Sequence, residues 1–301
     1  MSSPTRLAAR VGAFALLAVA CSQAADSPPT TAATTSTTSS TTSTSTSTST
    51  SIATAPSTTS VETTADETGP GPHGVEIYLP ALTEGAPVAV LVHGGGWVGG
   101  LPASIAPLGR ALSDRGMVVF NASYRTLSAG GGYPDTFDDV ACAVRYARSR
   151  GAELEASDQI MLIGHSAGAH LAATVALSDD AFGGDCPWGG SSTPQIFVGL
   201  AGIYQIEAVE PVMELLLGGS RETAPEAWAG ADPFEHLGSA AGMTVTLIHG
   251  TDDGIVPSGA SKGFQAALEA LDVDAVLELV PGATHMDMLD PDVTADLIPG
   301  G

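Results

Sequence analysis

Basic residues are scarce in this chain: Lys and Arg total 10 against 33 Asp and Glu, and Lys262 is the one lysine among 301 residues. At a net charge of −23 there is little cationic surface to displace the counterions of a phosphate backbone, which excludes a nucleic-acid partner. The same shortage excludes a polybasic patch on a membrane surface. Aromatic residues reach 5%, too few for a stacking platform. Cysteines number three and no Cys/His cluster accompanies them, so neither a structural zinc site nor any other metal site is expected. The apolar run Val11–Ala20 is too short to span a bilayer permanently. What is there is acidic and 44% hydrophobic, enough to fill a sizeable core, and it points to an enzyme or a binder of small molecules.

The run Val11–Ala20 follows Arg6 and Arg10 and has the length of the apolar segment of a secretory signal. It ends at Cys21, and Leu17-Ala18-Val19-Ala20-Cys21 resembles a bacterial lipobox, with Ala18 standing where Leu is usual. Residues 1–21 therefore read as a signal peptide with Cys21 as the lipidated residue, an ordinary signal peptide cut nearby being the alternative. Either puts the mature domain outside the cytoplasm, with membrane contact only through an N-terminal lipid anchor. Residues 22–69 read as a tether: 20 of the 22 residues from Thr30 to Ser51 are Ser or Thr, with no apolar surface to offset the entropy of ordering. Cys142 and Cys186 remain, and in an oxidising compartment they are expected to pair as a disulfide, two buried thiols being the alternative.

From residue 70 to 301 short apolar runs alternate with helical periodicity. Val75–Leu79 alternates like a half-exposed strand. Pro87–Val92, Met117–Phe120, Gln159–Ile163, Ile196–Leu200, Val245–Ile248 and Val276–Val280 read as strands buried in a sheet. Helices are expected over 103–115, 137–150, 166–177 and 258–271. This alternation predicts an α/β fold with a mostly parallel central sheet flanked by helices. Reacting groups in such sheets collect at the carboxyl ends of strands. His93, Ser166, Asp252, Asp253 and His285 all fall there.

Gly164-His165-Ser166-Ala167-Gly168 fits the sharp strand-to-helix turn that exposes a serine hydroxyl, and it stands between an apolar run and an Ala-rich helix as that turn requires. His93-Gly94-Gly95-Gly96-Trp97 is the second element: three glycines let main-chain N–H groups converge on one spot, where they can hold an oxyanion. The rival use is a phosphate cradle, since Gly94, Gly96 and Gly99 have the spacing of a dinucleotide loop. Gly100 and Pro102 oppose the helix that such a loop opens, no acid ends the strand at Phe120-Asn121, and the Walker lysine is absent. A serine needs a base, and the base an orienting carboxylate. His170 lies one helical turn past Ser166 and reads as a packing residue, His236 as exposed, His249 as structural. His285, in the loop Pro281–His285 after what reads as a buried strand, is the base. The acid is one of the adjacent pair Asp252 and Asp253, only one of which can face it.

With these residues in view the chain resembles an α/β-hydrolase of the esterase–lipase group, near the bacterial carboxylesterase, feruloyl-esterase-like and kynurenine-formamidase-like branch. The matching pieces are Val75–Pro80, His93–Trp97, Tyr124-Arg125, Tyr133-Pro134, Asp138-Asp139, Gly164–Gly168, His249–Pro257 and Pro281–His285. The resemblance implies a Ser166–His285–Asp253 triad, oxyanion donors at the main chain of Gly94, Gly95 and Ala167, a structural Arg125–Asp139 pair, no cofactor, and hydrolysis of a small-molecule ester. Residues 204–241, inserted between strands and holding Pro211–Leu217, Trp228 and Phe234, read as a short lid. Ser/Thr sequence stands where the family's first strand would be, so reduced N-terminal strands are expected. An amide hydrolase of the arylformamidase kind, a small peptidase on the same fold and a non-catalytic binding protein are the alternatives.

Overall fold

The computed structural model describes residues 62–66, 69–71 and 73–300. The expected signal peptide, Cys21 and the expected tether as far as residue 61 lie outside the described residues. Eight strands form one sheet: β1 Glu62–Asp66, β2 Val75–Leu79, β3 Val88–Val92, β4 Val118–Ala122, β5 Ile160–His165, β6 Ile196–Leu200, β7 Thr244–Gly250 and β8 Ala275–Val280. Their order is β1-β2-β4-β3-β5-β6-β7-β8. β2 pairs antiparallel with β1 and β4, and every other pairing is parallel.

The central strand explains the layering. All five residues of β3 are buried, and alternate side chains serve two cores. Val88, Val90 and Val92 join the core under α2 (Asp135–Glu153), α3 (Ala167–Leu177) and α6 (Gly259–Glu269), with Phe137, Val144, Leu171 and Phe264. Ala89 and Leu91 join the opposite core with Leu108 and Leu112 of α1 (Ala106–Asp114) and Met288 near the C-terminus. A strand covered on both faces needs no polar residue, which is why these runs read so plainly. α3 is buried along its whole length and, apart from His170, is apolar or small all round.

Two expectations are corrected. The tether was expected to run to residue 69, with the N-terminal strands reduced; Glu62–Asp66 instead forms β1, in register with Val75–Leu79, and the sheet is eight strands wide. Glu-Thr-Thr-Ala-Asp has no apolar alternation to announce a strand, and an edge strand held by its main-chain ladder needs none. β8 was expected to be buried, yet Val276 and Leu279 are exposed, because β8 is the other edge.

The insertion between β6 and β7 holds α4 (Glu210–Leu217) and α5 (Pro225–Ala231), flanked by 3-10 turns at Ile206–Val209 and Pro233–Ala240. Met213, Leu216, Leu217 and Trp228 are buried in the α2–α3 core. Burial of each such side chain is worth about 1.5–3 kcal/mol, so this short lid is a packed part of the domain. Cys142 on α2 and Cys186 are joined as a disulfide, with Cα atoms 5.5 Å apart. It ties α2 to the loop after α3, which Asp138 also holds by accepting from the Gly183 N–H at 2.7 Å.

Candidate active site

Ser166 stands at the turn between β5 and α3 with φ +56° and ψ −121°, a strained backbone for a residue with a side chain. The turn closes only because its flanks are bare. A Cβ on Gly164 would lie 2.3 Å from the Gly168 carbonyl oxygen, and one on Gly168 would lie 2.3 Å from that of His93. The Ser166 N–H donates to Leu200 O at 2.8 Å, and its own carbonyl accepts from Ala169 and His170, so the serine caps α3 at its positive end.

The His93–Trp97 loop meets that turn directly: a Cβ on Gly94 would sit 2.7 Å from His165 Nδ1 and 3.2 Å from the Ser166 Cβ. The loop is braced from several sides. The buried His93 ring stacks on Tyr124 with centroids 4.3 Å apart, and the Tyr124 hydroxyl donates to the His93 carbonyl at 2.9 Å. Trp97 Nε1–H donates to His170 Nδ1 at 3.1 Å, and His170 Nε2–H donates to Ala231 O at 2.8 Å, linking the loop to the insertion. Burial pushes His170 down to about 4, so the ring stays neutral in this role. Among the described residues, the main-chain N–H groups of Gly94, Gly95 and Ala167 have no protein acceptor. Arg125 and Asp139 form the expected pair, with Nε and Nη2 each donating at 2.8 Å to the carboxylate.

Asp253 and His285 are brought together: His285 Nδ1–H donates to Asp253 Oδ2 at 2.7 Å. The other oxygen, Oδ1, accepts from the N–H groups of Ile255 and Val256, both at 2.8 Å. Burial pushes the Asp253 carboxyl up, but the donors from Val256, His285 and Ile255 outweigh it and hold the group below the usual carboxylate range. Asp252 points elsewhere, accepting only from its neighbour Thr251 at 3.1 Å. The His285 ring packs against that of His165, the residue before Ser166, with centroids 4.7 Å apart. His165 Nε2–H donates to the His285 carbonyl at 3.1 Å, and burial together with the nearby His285 pushes His165 down to about 4. Among the described residues no hydrogen bond joins Ser166 Oγ to the His285 ring, a contact that often tightens only with substrate bound.

Two histidines matter more here than the sequence suggested. His165, inside the Gly164–Gly168 motif, bridges the serine turn to the His285 loop. His249, expected to be structural, has Nε2 3.2 Å from Asp253 Oδ2. His236, expected to be exposed, is half-buried with Nε2 3.2 Å from Gly230 O. No group of three His, Cys, Asp or Glu among the described residues is arranged to hold a metal ion.

The BD-FAE family model matches residues 75–268. The chain is 30% identical over 233 residues to a protein named as the probable isoprenylcysteine alpha-carbonyl methylesterase ICMEL1 of Arabidopsis thaliana, covering 71% of this chain and 48% of that protein. It is 29% identical over 225 residues to esterase LipC of Mycobacterium tuberculosis, covering 69% of this chain and 55% of the relative. The chain thus spans about half the length of these curated relatives. A thermophilic esterase of Thermogutta terrifontis, solved with propionate bound, superposes with a TM-score of 0.62 at 26% identity, covering 76% of this chain and 86% of that one. A truncated carbohydrate esterase from gut microbiota shares the fold with a TM-score of 0.65 at 21% identity, covering 75% and 88%.

Proposed function

Because the chain belongs to the BD-FAE family and has the α/β-hydrolase fold of its esterase neighbours, we propose that it is a serine carboxylic-ester hydrolase acting on small acyl or aryl esters. In this reading Ser166 is the nucleophile, His285 the base and Asp253 the orienting acid. The observation that supports it most is the 2.7 Å Asp253–His285 hydrogen bond in a loop whose ring packs on the residue next to Ser166.

The chemistry follows from those positions. Asp253 Oδ2 holds the proton on His285 Nδ1, which leaves the Nε2 lone pair to take the Ser166 proton as Oγ bonds to the ester carbon. The carbonyl oxygen becomes an oxyanion, and the N–H groups of Gly94, Gly95 and Ala167 receive it at the positive end of α3; one such donor is worth roughly 3–4 kcal/mol in the transition state. The C–O bond to the alcohol then breaks, and the leaving oxygen takes the proton from His285. Water repeats the sequence on the acyl-enzyme and releases the acid. The packed insertion and the propionate held by the Thermogutta esterase both favour a small acyl group over a long chain. The acidic surface disfavours polyanionic substrates.

Fluorophosphonate labelling with peptide mapping tests this directly. Label on Ser166, lost in Ser166→Ala together with p-nitrophenyl acetate turnover, supports it; full turnover by that variant overturns it. A peptide anilide and an aryl formamide offered beside the ester separate peptidase and amide-hydrolase alternatives, and a chain-length series of esters sets the acyl limit. The Val11–Ala20 run, Cys21 and the Cys142–Cys186 disulfide support a location outside the cytoplasm, with a lipid on Cys21. Fatty-acid labelling of the wild type that persists in Cys21→Ala counts against the anchor.

A further inference from the structure

The proton positions around Asp253 are fixed by its neighbours. His249 is wholly buried on β7, and burial lowers its pKa, so the ring is neutral and carries one N–H. Its Nε2 faces Val256 O at 2.9 Å and Asp253 Oδ2 at 3.2 Å. Neither oxygen has a proton to give: one is a carbonyl and the other a carboxylate held ionised by its hydrogen bonds. Nε2 must therefore be the protonated nitrogen. Nδ1 is then a lone pair, and the buried Ser261 hydroxyl, 2.8 Å away on α6, donates to it. Asp253 thus meets three hydrogen-bond donors, two main-chain N–H groups on Oδ1 and the His285 N–H on Oδ2, and His249 Nε2–H, bonded to Val256 O, also lies 3.2 Å from Oδ2.

We propose that His249 is a positioning residue for ester hydrolysis: its Nε2–H shares Asp253 Oδ2 with His285 and so fixes both the direction of the carboxylate and the strength of its hold on the His285 ring. This rests on the functional reading above. The titratable groups that meet at this point are Asp253 and His285, with His165 from the end of β5 and His249 from β7. Removing the His249 donor concentrates negative charge on Oδ2, which favours the protonated form of His285. Since His285 acts only when neutral, the acid limb of the kcat/KM profile must move to higher pH. Loss of packing alone lowers the amplitude and leaves the limb in place.

The experiment compares wild type, His249→Leu and His249→Gln on p-nitrophenyl acetate from pH 5 to 9, with histidine nitrogen-15 NMR of the resting wild type. The expected result is a kcat about tenfold lower in His249→Leu at unchanged KM, with the acid limb about half a pH unit higher, and recovery of most of both in His249→Gln, whose amide N–H reaches the Nε2 position. NMR is expected to show His249 as the Nε2–H tautomer. A His249→Leu limb at the wild-type midpoint overturns the proposal, as does an Nδ1–H tautomer, which is read whether or not the variants fold. Failure of the underlying reading looks different: the wild type itself then turns over no ester and Ser166 takes no fluorophosphonate, while the tautomer is still decided.

Discussion

Asp253→Asn is the most discriminating single change, because the structure fixes which way the new amide must lie. Oδ1 accepts from two main-chain N–H groups, of Ile255 and Val256, that cannot reverse their roles. The Asn carbonyl oxygen is therefore held at the Oδ1 position and its NH₂ is forced to where Oδ2 stood, facing two imidazole nitrogens that are both protonated in the wild type. His285 relieves the clash by moving its proton to Nε2, and it then has no lone pair for the Ser166 hydroxyl. His249 has no such escape, since Val256 O also needs its Nε2 proton. A base locked in the wrong tautomer costs about 10⁴ in kcat, or about 5.5 kcal/mol, with little change in KM. Steady-state hydrolysis of p-nitrophenyl acetate at pH 7.5 measures it. Asp252→Asn is the control, because Asp252 is exposed and faces only Thr251, and that variant is expected within about twofold of wild type. An Asp253→Asn enzyme within tenfold of wild type, or an Asp252→Asn enzyme as damaged as Asp253→Asn, refutes the assignment of the acid.

Gly94→Ala puts a methyl 2.7 Å from His165 Nδ1 and 3.2 Å from the Ser166 Cβ, and the resulting displacement is expected to lower kcat about 100-fold while circular dichroism stays native; an unimpaired enzyme shows that the loop does not abut the serine. Reducing the Cys142–Cys186 disulfide, which spans 44 residues of sequence, is expected to remove about 4 kcal/mol and to lower Tm by about 8–16 °C in thermal melts with and without reductant; a shift under about 3 °C contradicts this. His165 and His170 titrate at about 4 in the folded protein against an ordinary 6.5, so between those values the unfolded chain binds more protons. Their contribution is complete above pH 6.5 and is lost as pH falls toward 4, about 3 kcal/mol for each; melts across that range, flattened in His170→Leu, check it.

The sheet was legible wherever both faces of a strand are buried. Val88–Val92, Ile160–Ile163 and Ile196–Leu200 contain only apolar residues or glycine because every position but the half-buried Ile196 is shut off from water. At the edges that constraint lapses. Glu62–Asp66, polar but for Ala65, reads as tether, although β2 offers it a complete main-chain ladder. Ala275–Val280 is apolar enough to pass for a buried strand, yet Val276, Glu278 and Leu279 are exposed. Hydrophobic pattern reports burial, and an edge strand is defined by pairing, so pattern alone misplaces it in either direction.

At the site the same division recurs between what a motif demands and what three-dimensional contact decides. Gly164–Gly168 and His93–Trp97 are legible because close approach to Ser166 excludes side chains at fixed positions. The choice between Asp252 and Asp253 turns on geometry, but it left a local signal. An aspartate whose own carboxylate accepts from the N–H groups two and three residues on makes an Asx turn, and Asp253-Gly254-Ile255-Val256 has the sequence for it. That turn consumes Oδ1 and leaves Oδ2 to His285, with His249 Nε2 3.2 Å away. No comparable signal marks His165, which owes its place to the His285 carbonyl 120 residues away, whereas His249 lies only four residues before Asp253 and is placed by the fold of that turn and by Ser261 on α6. A histidine at a strand end reads as structural until something titratable is seen beside it. Here both neighbours are titratable: His249 lies 3.2 Å from Asp253 Oδ2 and His165 donates to the His285 carbonyl at 3.1 Å.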